Sequence, residues 1–149
     1  MNPVEQVLVA GIGNVFLGDD GFGCALAARV ALEGVDVADF GIRGMDLAYA
    51  LADYDVVVFL DAMPRGGAPG TLYVIEADVD EVPAGFDAHG MDPVQVLALA
   101  RTLGSPLPRT LVLGCEPAAI EEFTGLSAPV EAALEEALKL LDEVLRKET

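Results

Sequence analysis

Apolar residues recur along this chain in two alternating patterns. Continuous runs at Val7-Leu8-Val9-Ala10, Val56-Val57-Val58-Phe59-Leu60 and Thr110 to Leu113 have the length of strands buried on both faces. Weaker runs at Val35 to Phe40 and Thr71 to Ile75 complete a set of five. Between them the period changes to that of a helix. Phe22 to Leu32 carries apolar residues at helical spacing, and Gly34 stops it. Leu47 to Leu51 is a short helical piece. Asp92-Pro93-Val94-Gln95 opens another helix, with a capping Asp, Pro at the first position and Gln placed to reach back. Its core stripe is Val96, Leu99, Ala100 and Leu103, and Gly104 closes it. A last long helix, capped by Ser127, buries Val130, Leu134, Leu138, Leu141 and Leu145. Its acids come early and its bases late, as the helix dipole prefers.

Strands alternating with helices predict an α/β fold built on a parallel sheet. The run Val56 to Leu60 is the most apolar and should be central. One connection breaks the pattern. The link from Ala62 to Gly70 is too short for a parallel crossover, which needs a dozen or more residues, so the fourth strand should run antiparallel to the third. The sheet is then mixed, mostly parallel. No repeat, linker or low-complexity tract divides residues 1–149, which predicts a single domain.

Composition narrows the class. A net charge of −17 would repel nucleic acid and an anionic membrane surface alike. Although 53% of the residues are hydrophobic, no apolar stretch reaches the roughly eighteen residues of a membrane span. The first residues, Met1 to Gln6, lack the basic and apolar regions of a secretory signal, which predicts a cytoplasmic protein. The two cysteines, Cys24 and Cys115, are far apart and read as small buried hydrophobes.

Chemistry concentrates in the loops that follow the strands. The segment Gly11 to Gly23 is glycine-rich and stands between a strand and a helix, where a dinucleotide-binding loop would sit. Phe16 occupies the position of that loop's third glycine, and Asp19 and Asp20 stand where a pyrophosphate would. Nucleotide binding is therefore disfavoured. One of these aspartates can be a plain helix N-cap, but that leaves the second without a role. Asp61 stands immediately after the central strand, at the edge where open parallel sheets bind ligands. Asp20 follows the first strand at the same edge, so the two carboxylates can converge. Taken alone, Asp61 can equally turn into solvent. His89, the only histidine, lies in a loop and has the bland alternative of a surface residue. Glu116 and the loop Gly41 to Met45 reach the same edge.

Taken together these segments resemble the hydrogenase maturation endopeptidases. Gly13-Asn14, Leu17 and Asp19-Asp20-Gly21 resemble that family's opening motif. Phe59-Leu60-Asp61-Ala62 with Pro69-Gly70-Thr71 resembles the second, and His89-Gly90 the third. Gly114-Cys115-Glu116-Pro117 with Gly125-Leu126-Ser127 resembles the fourth. The matches run in order over nearly the whole chain.

The resemblance implies a three-layer sandwich, with a mixed five-stranded sheet between helical layers, in agreement with the spacing. It implies that Asp20, Asp61 and His89 contact a metal. It also implies that Asp20 and Asp61 serve an aspartic-type peptidase acting on the C-terminal extension of a nickel–iron hydrogenase large-subunit precursor. The nickel would come with the substrate, and no permanently bound cofactor is expected. Which carboxylate acts as general base stays open. A non-catalytic nickel-binding maturation chaperone would use the same three residues.

Overall fold

The computed structural model describes residues 5–82, 92–122 and 124–148. Five strands, β1 (Val7–Ile12), β2 (Asp36–Gly41), β3 (Val56–Ala62), β4 (Leu72–Glu76) and β5 (Arg109–Cys115), form one sheet in the order β2-β1-β3-β5-β4. The pairings of β1 with β2, β1 with β3 and β3 with β5 are parallel. Only β4 runs antiparallel, along β5. The helices are α1 (Phe22–Ala27), α2 (Gly44–Ala50), α3 (Pro93–Thr102) and α4 (Ala128–Glu148).

Because strand side chains alternate between faces, the three central strands supply two cores at once. Val7, Val9, Val58, Leu60, Leu111 and Leu113 point to one side and meet Phe22 and Leu26 of α1 and Leu134 and Leu141 of α4. Leu8, Ala10, Ile12, Val57, Phe59 and Val112 point to the other and meet Leu47 of α2 and Val96, Leu97 and Ala100 of α3. Continuous apolar sequence in β1 and β3 is what burial on both faces demands. The result is an α/β sandwich of three layers around a mixed, mostly parallel sheet. No described helix is long and apolar enough to cross a membrane.

Several local expectations shift. Helix α1 ends at Ala27, not near Leu32, because the following turn tightens: the Arg29 N–H donates to the Leu26 carbonyl at 2.9 Å and the Val30 N–H to the Ala27 carbonyl at 3.3 Å. Val30 and Leu32 still pack on the core, which is why their apolar character extended the helical pattern. Strand β4 has the expected direction relative to β3, but β5 lies between them. In α3 the cap forms as expected, with the Gln95 N–H donating to Asp92 Oδ1 at 2.9 Å. The reciprocal bond does not form, since Gln95 Oε1 is buried without a hydrogen-bond partner. Leu103 is 39% exposed and Leu97 takes its place in the core.

The close approach of α1 to the sheet needs a glycine at one point. A Cβ on Gly23 would lie 2.0 Å from the Leu60 carbonyl oxygen and 2.6 Å from that of Ile12, both main-chain atoms that cannot swing aside. Gly23→Ala should therefore destabilise the protein by about 3 kcal/mol. Gly125→Ala, with nothing within 4 Å of its Cβ position, should change stability by less than about 0.5 kcal/mol. Urea unfolding of the two variants checks this, and equal midpoints would contradict the backbone contact.

Candidate active site

The chain leaves the C-terminal end of β1 toward β2 and that of β3 toward β4, on opposite sides of the sheet order. A crevice opens between two such strand ends, and ligands of open α/β sheets bind there. The loop after β1 is shaped by its main chain. Gly13 has φ +128°, its N–H donates to the Gly41 carbonyl at 3.0 Å, and a Cβ there would sit 2.1 Å from the Asp20 carbonyl oxygen. The Asn14 N–H then donates to Asp20 Oδ2 at 2.7 Å. Asp20 is thus held against the loop it closes, within the 3-10 turn Gly18–Gly21 that leads into α1.

Asp61 is not beyond β3 but its penultimate residue, opposite Gly114 of β5. Only 9% of it is exposed. Burial, then the negative charges of Asp20 and Asp92, push its pKa up from 3.8 to about 8, against one favourable backbone hydrogen bond from Ala62. No lysine or arginine among the described residues forms an ion pair with Asp20 or Asp61. Asp61 also sits at the wall of a 470 Å³ cleft between β3, β4 and the start of α3. The structure therefore brings Asp20 and Asp61 to one edge within electrostatic reach and adds Asp92 to them. His89 lies outside the described residues. Among those described, no three His, Cys, Asp or Glu side chains are grouped to hold a metal ion.

The neighbouring acid, Asp19, has a different part. It is 1% exposed. Its Oδ2 accepts the Ala118 N–H at 2.8 Å, the Ala119 N–H at 3.1 Å and the Ser127 hydroxyl at 2.8 Å, and its Oδ1 accepts the Ser127 N–H at 2.7 Å. Burial alone would raise this carboxyl's pKa. The hydrogen bonds from Ser127, Ala118 and Ala119 outweigh it and hold the pKa below 3.8. The paired aspartates are thus divided: Asp19 ties the β1–α1 loop to the segment between β5 and α4, and Asp20 acts on Asp61 through its charge. Ser127, expected to cap α4 with its side chain, gives its hydroxyl to Asp19.

Glu116 is another structural acceptor. Its Oε1 takes the Arg65 N–H at 2.8 Å, the Gly67 N–H at 2.9 Å and the Tyr73 hydroxyl at 2.8 Å, fixing the turn after β3. The Arg65 bond leads in lowering its pKa. Neither Asp19 nor Glu116 could be assigned from sequence, because their partners lie 43 to 108 residues away. Both cysteines are buried and unpaired. Burial leads in pushing the Cys24 thiol up to about 12 and the Cys115 thiol up to about 11, so neither offers a thiolate nucleophile at neutral pH.

The raised pKa of Asp61 has a signed consequence for stability. A folded-state pKa above the unfolded one favours folding fully below pH 3.8, and that contribution is lost as pH rises through about 8. Asp61→Asn keeps the shape and removes the charge. The variant should gain stability over the parent progressively between pH 4 and pH 8.5. The span from 3.8 to about 8, at about 1.4 kcal/mol per pH unit, sets a ceiling of roughly 6 kcal/mol. Urea unfolding of both proteins at pH 5 and pH 8.5 measures the gap, and a gap independent of pH would contradict the buried-acid geometry.

Comparison with known proteins agrees with this architecture. The sequence profile of the hydrogenase maturation protease family matches residues 23–144. The hydrogenase 2 maturation protease of Escherichia coli is 32% identical over 152 residues, covering 95% of this chain and 92% of that protein. A hydrogenase expression/formation protein of Rhizobium leguminosarum is 33% identical, covering 97% and 76%. Among solved structures, a hydrogenase maturating endopeptidase from Escherichia coli superposes with a TM-score of 0.77 at 29% identity, covering 96% of this chain and 93% of that one. A hydrogenase 2 maturation peptidase from a Thaumarchaeota archaeon gives 0.73 at 33% identity, covering 95% and 98%. A profile match over most of the chain, with relatives above 30% identity along their length, leaves one conclusion: the chain belongs to the hydrogenase maturation protease family.

Proposed function

We propose that this chain is the endopeptidase that removes the C-terminal extension of a nickel–iron hydrogenase large-subunit precursor once nickel is in place. Asp20, Asp61 and His89 are its working residues. The observation that carries the reading is the buried carboxyl of Asp61, held near Asp20 at the switch point of the sheet with no cation beside it among the described residues. Such a site is electrostatically incomplete. A substrate bringing a divalent ion to this edge would relieve the repulsion among Asp20, Asp61 and Asp92 and draw the Asp61 pKa down. The nickel of the precursor has that charge, and two carboxylates with one imidazole suit a borderline ion. Recognition of nickel then makes cleavage a checkpoint on its insertion. The metal belongs to the substrate in this account, and no resident cofactor is invoked.

His89 enters through chain length. It precedes Asp92 by three residues, and three residues of chain span at most about 11 Å. Asp92 already acts on Asp61 through its charge. A histidine tethered that closely can reach the carboxylate pair.

Peptide hydrolysis needs a group to take a proton from the attacking water and a group to give one to the departing nitrogen. A carboxyl with pKa near about 8 exchanges its proton in the neutral range. Once the incoming nickel draws that proton off, Asp61 or Asp20 can take the proton of the attacking water. An aspartic-type mechanism of this kind leaves the buried thiols uninvolved. The work would be done in the cytoplasm.

The test is to incubate the protein with nickel-loaded and nickel-free precursor and follow loss of the tail by mass spectrometry. Cleavage of the loaded form alone is expected, and Asp61→Asn and His89→Ala should each slow it at least about a hundred-fold. Equal trimming of both precursors would remove nickel recognition. Parental rates in both variants would remove the proposed residues. Stable nickel in the isolated protein with no cleavage would point to the chaperone instead.

A further inference from the structure

The cleft beside Asp61 is built unlike the rest of this acidic surface. Its walls are apolar: Met63 follows β3, Val82 closes the 3-10 turn Val79–Glu81, Val94 and Leu97 come from α3, and Val112 comes from β5. Val94 is 53% exposed although it stands on a helix whose neighbouring turns are buried. Acids stand with these walls. Asp78, Glu81 and Asp92 are exposed lining residues, Asp61 is the buried one, and among the described residues no lysine or arginine lines the cleft. A volume of 470 Å³ accommodates more than one side chain and falls within the about 300 to 1,000 Å³ typical of ligand clefts.

We propose that this cleft is the specificity pocket for the tail of the cleaved polypeptide, taking an apolar side chain with a lysine or arginine close behind it. The inference rests on the endopeptidase reading of Asp61. An endopeptidase must hold the chain on at least one side of the bond it cuts, and this cleft shares a wall with the reacting carboxyl. Apolar walls bind an apolar side chain by removing it from water. The charge at the mouth then selects its neighbours. Asp78, Glu81 and Asp92 attract a basic residue at the rim, where it keeps its solvent, and repel an acidic one. Another groove, lined by residues between Gly13 and Arg43, holds neither Asp20 nor Asp61, and its lining has Asp39 and Arg43 in place of an acidic rim.

The test uses the full chain labelled with nitrogen-15 and three capped peptides: Gly-Leu-Val-Lys-Lys-Gly, the same with both lysines changed to glutamate, and the same with Leu and Val changed to serine. The first should shift the amide signals of Met63, Val82, Val94 and Glu81. The other two should bind at least about ten-fold more weakly. Asp78→Asn with Glu81→Gln keeps the turn that the Asp78 side chain caps and should lower affinity for the lysine peptide about five-fold, while leaving the glutamate peptide no weaker than before. Equal binding of all three peptides overturns the proposal, as do shifts confined to the groove between Gly13 and Arg43. The double variant trimming precursor with parental KM also overturns it and leaves the endopeptidase reading intact. Selective capture of the lysine peptide by a chain that trims no precursor does the reverse: the peptide site stands and the endopeptidase reading falls.

Discussion

The carboxylate of Asp19 holds together the two segments on which the candidate site is built. It is almost wholly buried and receives four hydrogen bonds from Ala118, Ala119 and Ser127, across about 100 residues of sequence. Its own N–H returns a bond to the Ala119 carbonyl at 3.0 Å. A buried charge is tolerable only when donors surround it, and here three donors are main-chain N–H groups and the fourth is the Ser127 hydroxyl. The loop after β1 and the entry to α4 are therefore fixed relative to each other. Asp20, one peptide bond further on, is carried by the clamped loop. Packing of Gly23 on the ends of β1 and β3 then holds α1, and with it this loop, against the strand that carries Asp61.

Within that frame the molecule treats its acids in two opposite ways. Asp19 and Glu116 are given donors, and their pKa values are lowered. Asp61 is given burial and like charge, and its pKa rises. The first arrangement stabilises the fold, and the second stores unfavourable electrostatics at a ligand-binding edge. Titratable groups perturbed by burial together with a specific charge partner in a cleft are characteristic of reactive sites. That contrast, more than the number of acids, separates the candidate site from the surface of a chain with net charge −17.

Much of this was legible in the sequence, and for definite reasons. Strands buried on both faces must be continuously apolar, so β1 and β3 stood out. Asp92-Pro93 announces a helix through local chemistry alone, and α3 begins there. The short link after Asp61 forces a reversal of direction, and β4 is antiparallel. Other features depend on contacts that no local pattern encodes. The separate duties of Asp19 and Asp20 are decided by donors from the far side of the chain. Ser127 looks like a cap because its type and position suit one, and its hydroxyl is taken by Asp19 instead. The acids at the mouth of the cleft, Asp78 and Glu81, come from a 3-10 turn that sequence periodicity does not reveal.

The account stands or falls on the state of the Asp61 carboxyl. Carbon-13 NMR of side-chain carboxyls, followed from pH 3 to pH 10 in the parent and in Asp20→Asn, reads that state directly. The account predicts a midpoint for Asp61 near about 8 in the parent and a lower one once the Asp20 charge is removed. A parent midpoint in the ordinary carboxylate range near 3.8, or one unmoved by Asp20→Asn, would contradict it.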